Sequence, residues 1–97
     1  MNELEKTKVV FRIYPNGEVI ALFPQIAADI EGYFCSSYMH VGQHGGASTD
    51  TVVSNTRPAR PEEYAVLNEE LENAGYNLII GKVCTKKDRR IRRFSTL

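Results

Sequence analysis

The chain is 97 residues long, with 42% hydrophobic residues, 25% charged residues and a formal net charge of zero. Such values suit one globular domain close to the lower limit of independent folding, where oligomerisation would help bury surface. No apolar run approaches the roughly 20 residues that span a bilayer. The start of the chain, residues 1–6, is charged and lacks the apolar region of a signal peptide. A cytoplasmic location without membrane contact is therefore expected.

Zero net charge conceals an asymmetry. Residues 1–84 carry six basic and eleven acidic side chains, a balance of −5, whereas residues 85–97 carry six basic and one acidic, a balance of +5. The division suggests a single α+β domain over 1–84 and a basic C-terminal tail over 85–97. A basic tail on an acidic body suits phosphate-rich partners, or the acidic surface of another subunit. Cys35 and Cys84 are far apart with no CxxC spacing, and read as reduced, buried thiols on facing strands.

Residues 8–14 and 18–23 are rich in Val, Ile and aromatics and read as a hairpin. A two-residue Asn16-Gly17 loop would demand an N–H that Pro15 lacks. A three-residue loop fits better, with Gly17 in the left-handed bulge position and Tyr14 facing Glu18. Val9, Phe11, Ile13, Val19, Ala21 and Phe23 then share an apolar face. The opposite face carries Val10, Arg12, Ile20 and Leu22, and calls for cover by a helix or a second subunit. Arg12 itself reads as an exposed arginine.

Pro24 is expected to end the second strand. Residues 25–31 suggest a helical turn or ordered loop closed by Gly32, and residues 33–41 alternate as a third strand, with Tyr38 and His40 on one side. Residues 51–55 form a β-branched run read as a fourth strand. Pro61, Glu62 and Glu63 suit the first turn of a helix. Tyr64, Leu67, Leu71 and Ala74 continue its apolar face, and Gly75 caps it. Residues 76–84 read as a last strand covered on both sides. The expected architecture is a mainly antiparallel sheet of about five strands with one long helix, order ββββαβ, followed by the basic tail.

Residues 8–12 (KVVFR), 17–24 (GEVIALFP), 37–45 (SYMHVGQHG) and 61–65 (PEEYA) together resemble a family of small proteins encoded by bacteriophages and bacterial mobile elements. The resemblance spans roughly residues 6–84 and implies a setting without a catalytic assignment. It implies a small protein that blunts host defence, in the manner of compact oligomers that sequester nucleotide signals.

Residues 38–50 gather the densest polar chemistry: both histidines, His40 and His44, three glycines, Ser48, Thr49 and Asp50. In an anion-binding reading, Gly45 and Gly46 form a phosphate nest together with Gly42. His40, Gln43, His44 and Ser48 donate hydrogen bonds, Arg57 and Arg60 add bidentate phosphate contacts, and Tyr38, Phe34 or Tyr33 stacks on a base. Neither a Walker loop nor a GxGxxG pattern is present, so no cofactor is expected. An enzyme would use His40, His44 and Asp50 as metal ligands or as a hydrolytic set. The first histidine is followed by Val41 where a zincin carries its glutamate, which weighs against that alternative. The third reading is nucleic-acid or protein binding through the run from Lys86 to Arg93. A non-catalytic, oligomeric binder of a small anionic ligand, such as a nucleotide, is the leading expectation.

Overall fold

The first two strands frame the sheet. In the computed structural model, which describes residues 6–39 and 43–94, β1 (Thr7–Ile13) and β2 (Val19–Ala27) pair antiparallel with Ile13 opposite Val19. Tyr14 N donates to Glu18 O at 2.8 Å and Gly17 has φ +91°, so the turn is the expected three-residue loop with a left-handed glycine. Antiparallel pairing continues through β3 (Cys35–Met39) to β4 (Gln43–Ala47), and the strand order is β4-β3-β2-β1-β5. The two-residue β5 (Arg57–Pro58) pairs antiparallel with one end of β1, and β6 (Leu78–Gly81) pairs parallel with the other.

The architecture is α+β with a mostly antiparallel sheet, but it carries three helices among the described residues, not one. The added helices are α1 (Thr49–Asn55) and α3 (Lys86–Phe94); α2 (Pro61–Asn73) is the expected one. The run over 51–55 is helical because Ser48 caps it, accepting from Thr51 N, and Asp50 lies in its first turn. Those local signals outweigh the strand preference of Thr51, Val52 and Val53. The basic segment folds as α3 against β2.

Two further expectations are corrected. Pro24 does not end β2: the strand runs on to Ala27 through a register shift between Phe23 and Ala27. Such an irregularity frees the chain from the ladder bond that proline cannot make. The last strand is not covered on both sides, since Ile79 and Ile80 are about half exposed.

Each sheet face has its own core. Val9, Phe11, Ala21, Phe23 and Tyr38 pack with Leu67 and Leu71 of α2. Phe11 stacks on Tyr64 with centroids 4.4 Å apart, so Tyr64 packs, half-buried, against this core. On the opposite face Val10, Ile20, Leu22, Cys35 and Ala47 pack with Val52 of α1.

Arg12 is buried on this second face, contrary to expectation. Its guanidinium donates to Val53 O at 3.2 Å, Thr56 O at 2.8 Å and Thr56 Oγ1 at 2.9 Å. It therefore satisfies the C-terminal carbonyls of α1 and complements that helix's dipole. A β1 side chain thus holds α1 on the sheet.

Candidate anion-binding site

Among the described residues, those singled out around the histidines do not converge. His44 lies on β4 opposite Tyr38, their rings meeting edge-on with centroids 4.7 Å apart, on the α2 side of the sheet. The Tyr38 hydroxyl hydrogen-bonds the Glu70 carboxylate of α2. Asp50 lies on α1, which covers the other face. His40, Gly42 and the side chain of Gln43 lie outside the described residues. A His44–Asp50 catalytic pair within one chain is therefore not assembled.

The expected glycine nest is also absent from the described residues. Gly45 and Gly46 belong to β4, paired with Ser37 and Ser36, and neither has a positive φ. A nest needs alternating backbone hands, whereas a strand aims successive N–H groups to opposite sides. Ser48 is occupied as the cap of α1.

Arg57 sits on β5, at the far edge of the sheet from β4, four strand spacings or about 19 Å away. It forms a two-pronged pair with Glu63, at 2.9 and 2.6 Å. That guanidinium, with the backbone N–H of Arg60, holds the Glu63 carboxyl down to about 2. Arg60 caps α2: its N donates to Glu63 Oε1 and its carbonyl accepts from Glu63 N, both at 2.8 Å. Both arginines thus complete the start of α2.

A different set of residues does converge. A cleft of about 570 Å³ opens between α1 and the start of α3. One wall supplies Thr49, Asp50, Val53 and Ser54; the other supplies Cys84, Thr85, Lys86, Arg89 and Arg92. Thr85 begins α3 with a reciprocal cap, its N donating to Asp88 Oδ2 at 2.9 Å and its Oγ1 accepting from Asp88 N at 3.1 Å. This is the T-x-x-acid pattern of a capping box, legible as Thr85-Lys86-Lys87-Asp88 once the segment is read as a helix.

Beneath the cleft α3 is anchored by charge. Asp88 accepts from Lys8 Nζ at 2.6 Å and Gln25 Nε2 at 2.9 Å. Burial alone would raise its pKa, but the bonds from Lys8, Gln25 and Thr85 prevail and hold it below the usual value. Arg92, only 2% exposed, donates to Pro24 O and Gly32 O at 2.8 Å each and to Tyr33 O at 3.4 Å.

At the cleft mouth Lys86 and Arg89 are exposed, and Arg89 meets Asp50 at 3.4 Å. That bridge is long and solvent-exposed, so a stronger anion can displace it at little cost. The cleft thus offers an ammonium, a guanidinium and hydroxyls to an anion. Its thiol is held protonated. Burial, reinforced by the negative charge of Asp88, pushes the Cys84 thiol up, and burial pushes the Cys35 thiol up to about 11. Both cysteines are free, and Cys84 precedes α3 instead of lying on a strand facing Cys35. Among the described residues no group of three His, Cys, Asp or Glu side chains is placed to hold a metal ion. No helix among them is long and apolar enough to cross a membrane. No family model, curated protein or solved structure matches the chain.

Proposed function

We propose that the protein binds a small phosphate-bearing anion, without transforming it, in the cleft between α1 and α3. The observation that carries this reading is the pairing of Lys86 and Arg89 across from Thr49 and Ser54 in a cleft of about 570 Å³. That volume lies within the range of small-molecule sites. The resemblance to phage and mobile-element proteins would make a nucleotide signal a fitting ligand, held by sequestration. The protonated thiols and the separation of His44 from Asp50 favour binding over catalysis.

Thermal unfolding in the presence of inorganic phosphate and a panel of linear and cyclic nucleotides tests the reading. A ligand that binds only the folded state adds about 2.7 kcal/mol at 100-fold excess over Kd. Lys86→Ala and Arg89→Ala should each weaken binding by roughly 10- to 100-fold, the worth of a charge-assisted hydrogen bond. His44→Ala should leave binding unchanged. The reverse pattern, with loss in His44→Ala alone, would move the ligand to the β4 edge and sink the proposal. Recovery of the bound molecule as a product would make the protein an enzyme.

A further inference from the structure

Beyond the cleft, α3 meets the loop between β2 and β3 in a surface with an unusual make-up. Lys86, Arg90 and Phe94 follow one another at four-residue steps, so they form one exposed stripe along the helix. At the end of that stripe the Arg93 guanidinium lies 5.8 Å from the centroid of the Tyr33 ring. The aromatics there are left open to solvent: Tyr33 is 62% exposed and Phe94 69%. The sole acid of α3, Asp88, is turned inward and already neutralised by Lys8.

The loop is pinned in place with some force. Buried Arg92 bonds the carbonyls of Gly32 and Tyr33. Gly32 has φ +74°, and a Cβ there would stand 3.0 Å from Arg93 Cα, so only glycine permits this approach. The fold therefore fixes exposed aromatic rings beside a row of cations, instead of burying the rings or separating the two.

We infer that this surface binds single-stranded nucleic acid, with Lys86, Arg90 and Arg93 contacting phosphates and Tyr33 and Phe94 stacking on bases. Single strands present both chemistries at once, a regular row of anions and unpaired π-faces. A duplex hides its bases, and a protein partner would have to desolvate every cation of the stripe. The inference does not rest on a free nucleotide in the cleft, because the aromatic rings, Arg90 and Arg93 lie outside that cleft's lining, and Lys86 alone is shared with it.

Fluorescence anisotropy of the full chain with a labelled oligo(dT) or oligo(U) 20-mer provides the test, with a duplex of mixed sequence as comparison. Binding should weaken with salt at a log–log slope of about −0.7 for each phosphate engaged, and the duplex should bind more weakly. Tyr33→Ala should weaken binding roughly 5- to 100-fold with the slope unchanged, and Arg90→Gln should reduce the slope by about one phosphate. Tyr33 and Arg90 are both exposed, and a circular dichroism melt checks that each variant folds. No binding at low salt, equal binding of duplex, or affinity untouched by Tyr33→Ala would each overturn the inference. So would self-association lost in Tyr33→Ala without any oligonucleotide binding, which would make the surface a contact between copies.

Discussion

On one face of the sheet, α2 is held by Leu67 and Leu71 against Phe11, Ala21 and Phe23. On the other, α3 buries Asp88 and Arg92, which bond Lys8, Gln25 and three backbone carbonyls. The two helices flank the same sheet but hold to it by different forces. Apolar packing tolerates exchange among similar shapes, because it is set by volume and area. A buried ion tolerates almost none, because each partner left behind is a desolvated polar group. The α3 side is also the side with the cleft and with exposed Tyr33 and Phe94. Charge anchoring keeps its outer surface free for polar contacts, since no apolar helix face has to be hidden.

Paired substitutions separate these mechanisms. Leu71→Ala should cost about 2–5 kcal/mol through the cavity it leaves, whereas Leu71→Met should cost less than about 1.5 kcal/mol. Arg92→Ala should cost about 3 kcal/mol or more, since it strands the carbonyls of Pro24 and Gly32. Arg92→Lys should recover little of that loss, because an ammonium cannot reproduce the guanidinium fork. Urea denaturation of the four variants measures the contrast. Full rescue by lysine would show that charge alone anchors α3.

The same difference decides what was legible in the sequence. The hairpin, its Gly17 turn and α2 follow from apolar periodicity and turn chemistry, and the structure reproduces them. The segment KKDRRIRRF has only Ile91 and Phe94 as apolar residues, a pair that hints at a helix but is too short for a periodicity, and composition suggested a tail. Its signal was the Thr85–Asp88 capping box, a pattern easily lost among six cations. Short α1 was hidden by its β-branched residues. The histidine-centred site drew together residues near in sequence, yet alternation along β4 sends neighbours to opposite faces. Arg57 looked free for phosphate because its partner, Glu63, was read only as a helix-dipole residue, the same carboxylate that accepts from the Arg60 backbone N–H.

Gly32→Ala and the Cys35 thiol probe the polar layer at intermediate strength. A Cβ at position 32 meets backbone at 3.0 Å in a left-handed conformation, so the substitution should cost about 1–3 kcal/mol and loosen the C-terminal half of α3. Hydrogen exchange localises that loosening. Cys35 is fully buried in the neighbouring apolar cluster, and its folded pKa lies near 11 against 9.0 for the free thiol. Because the folded value is raised, its contribution is intact below about pH 9. It declines as the pH rises toward 11, where the unfolded chain has already released its proton. The wild type should therefore lose roughly 2–3 kcal/mol more than Cys35→Ala over that window. Denaturant midpoints at pH 8.5, 9.5 and 10.5 give the difference. Equal slopes would mean that this layer is wetter than its packing implies.

The Lys8–Asp88 contact should give the smallest effect and the finest distinction between the two faces. Asp88 has a lowered folded pKa, so its stabilisation is present above the ordinary carboxylate value of 3.8 and is lost as the pH falls below it. On acidification α3 should then release before α2, whose apolar contacts carry no proton dependence and whose Glu63, held down to about 2, still keeps its pair with Arg57 at pH 3. Lys8→Met should cost about 1–2 kcal/mol, since Gln25 and Thr85 still hold the carboxylate. It should also move the release of α3 to higher pH, because the remaining bonds depress Asp88 less. Amide exchange at pH 3, compared between α2 and α3, reads this directly. Simultaneous release of both helices would mean that the sheet, and not the buried acid, sets the acid limit.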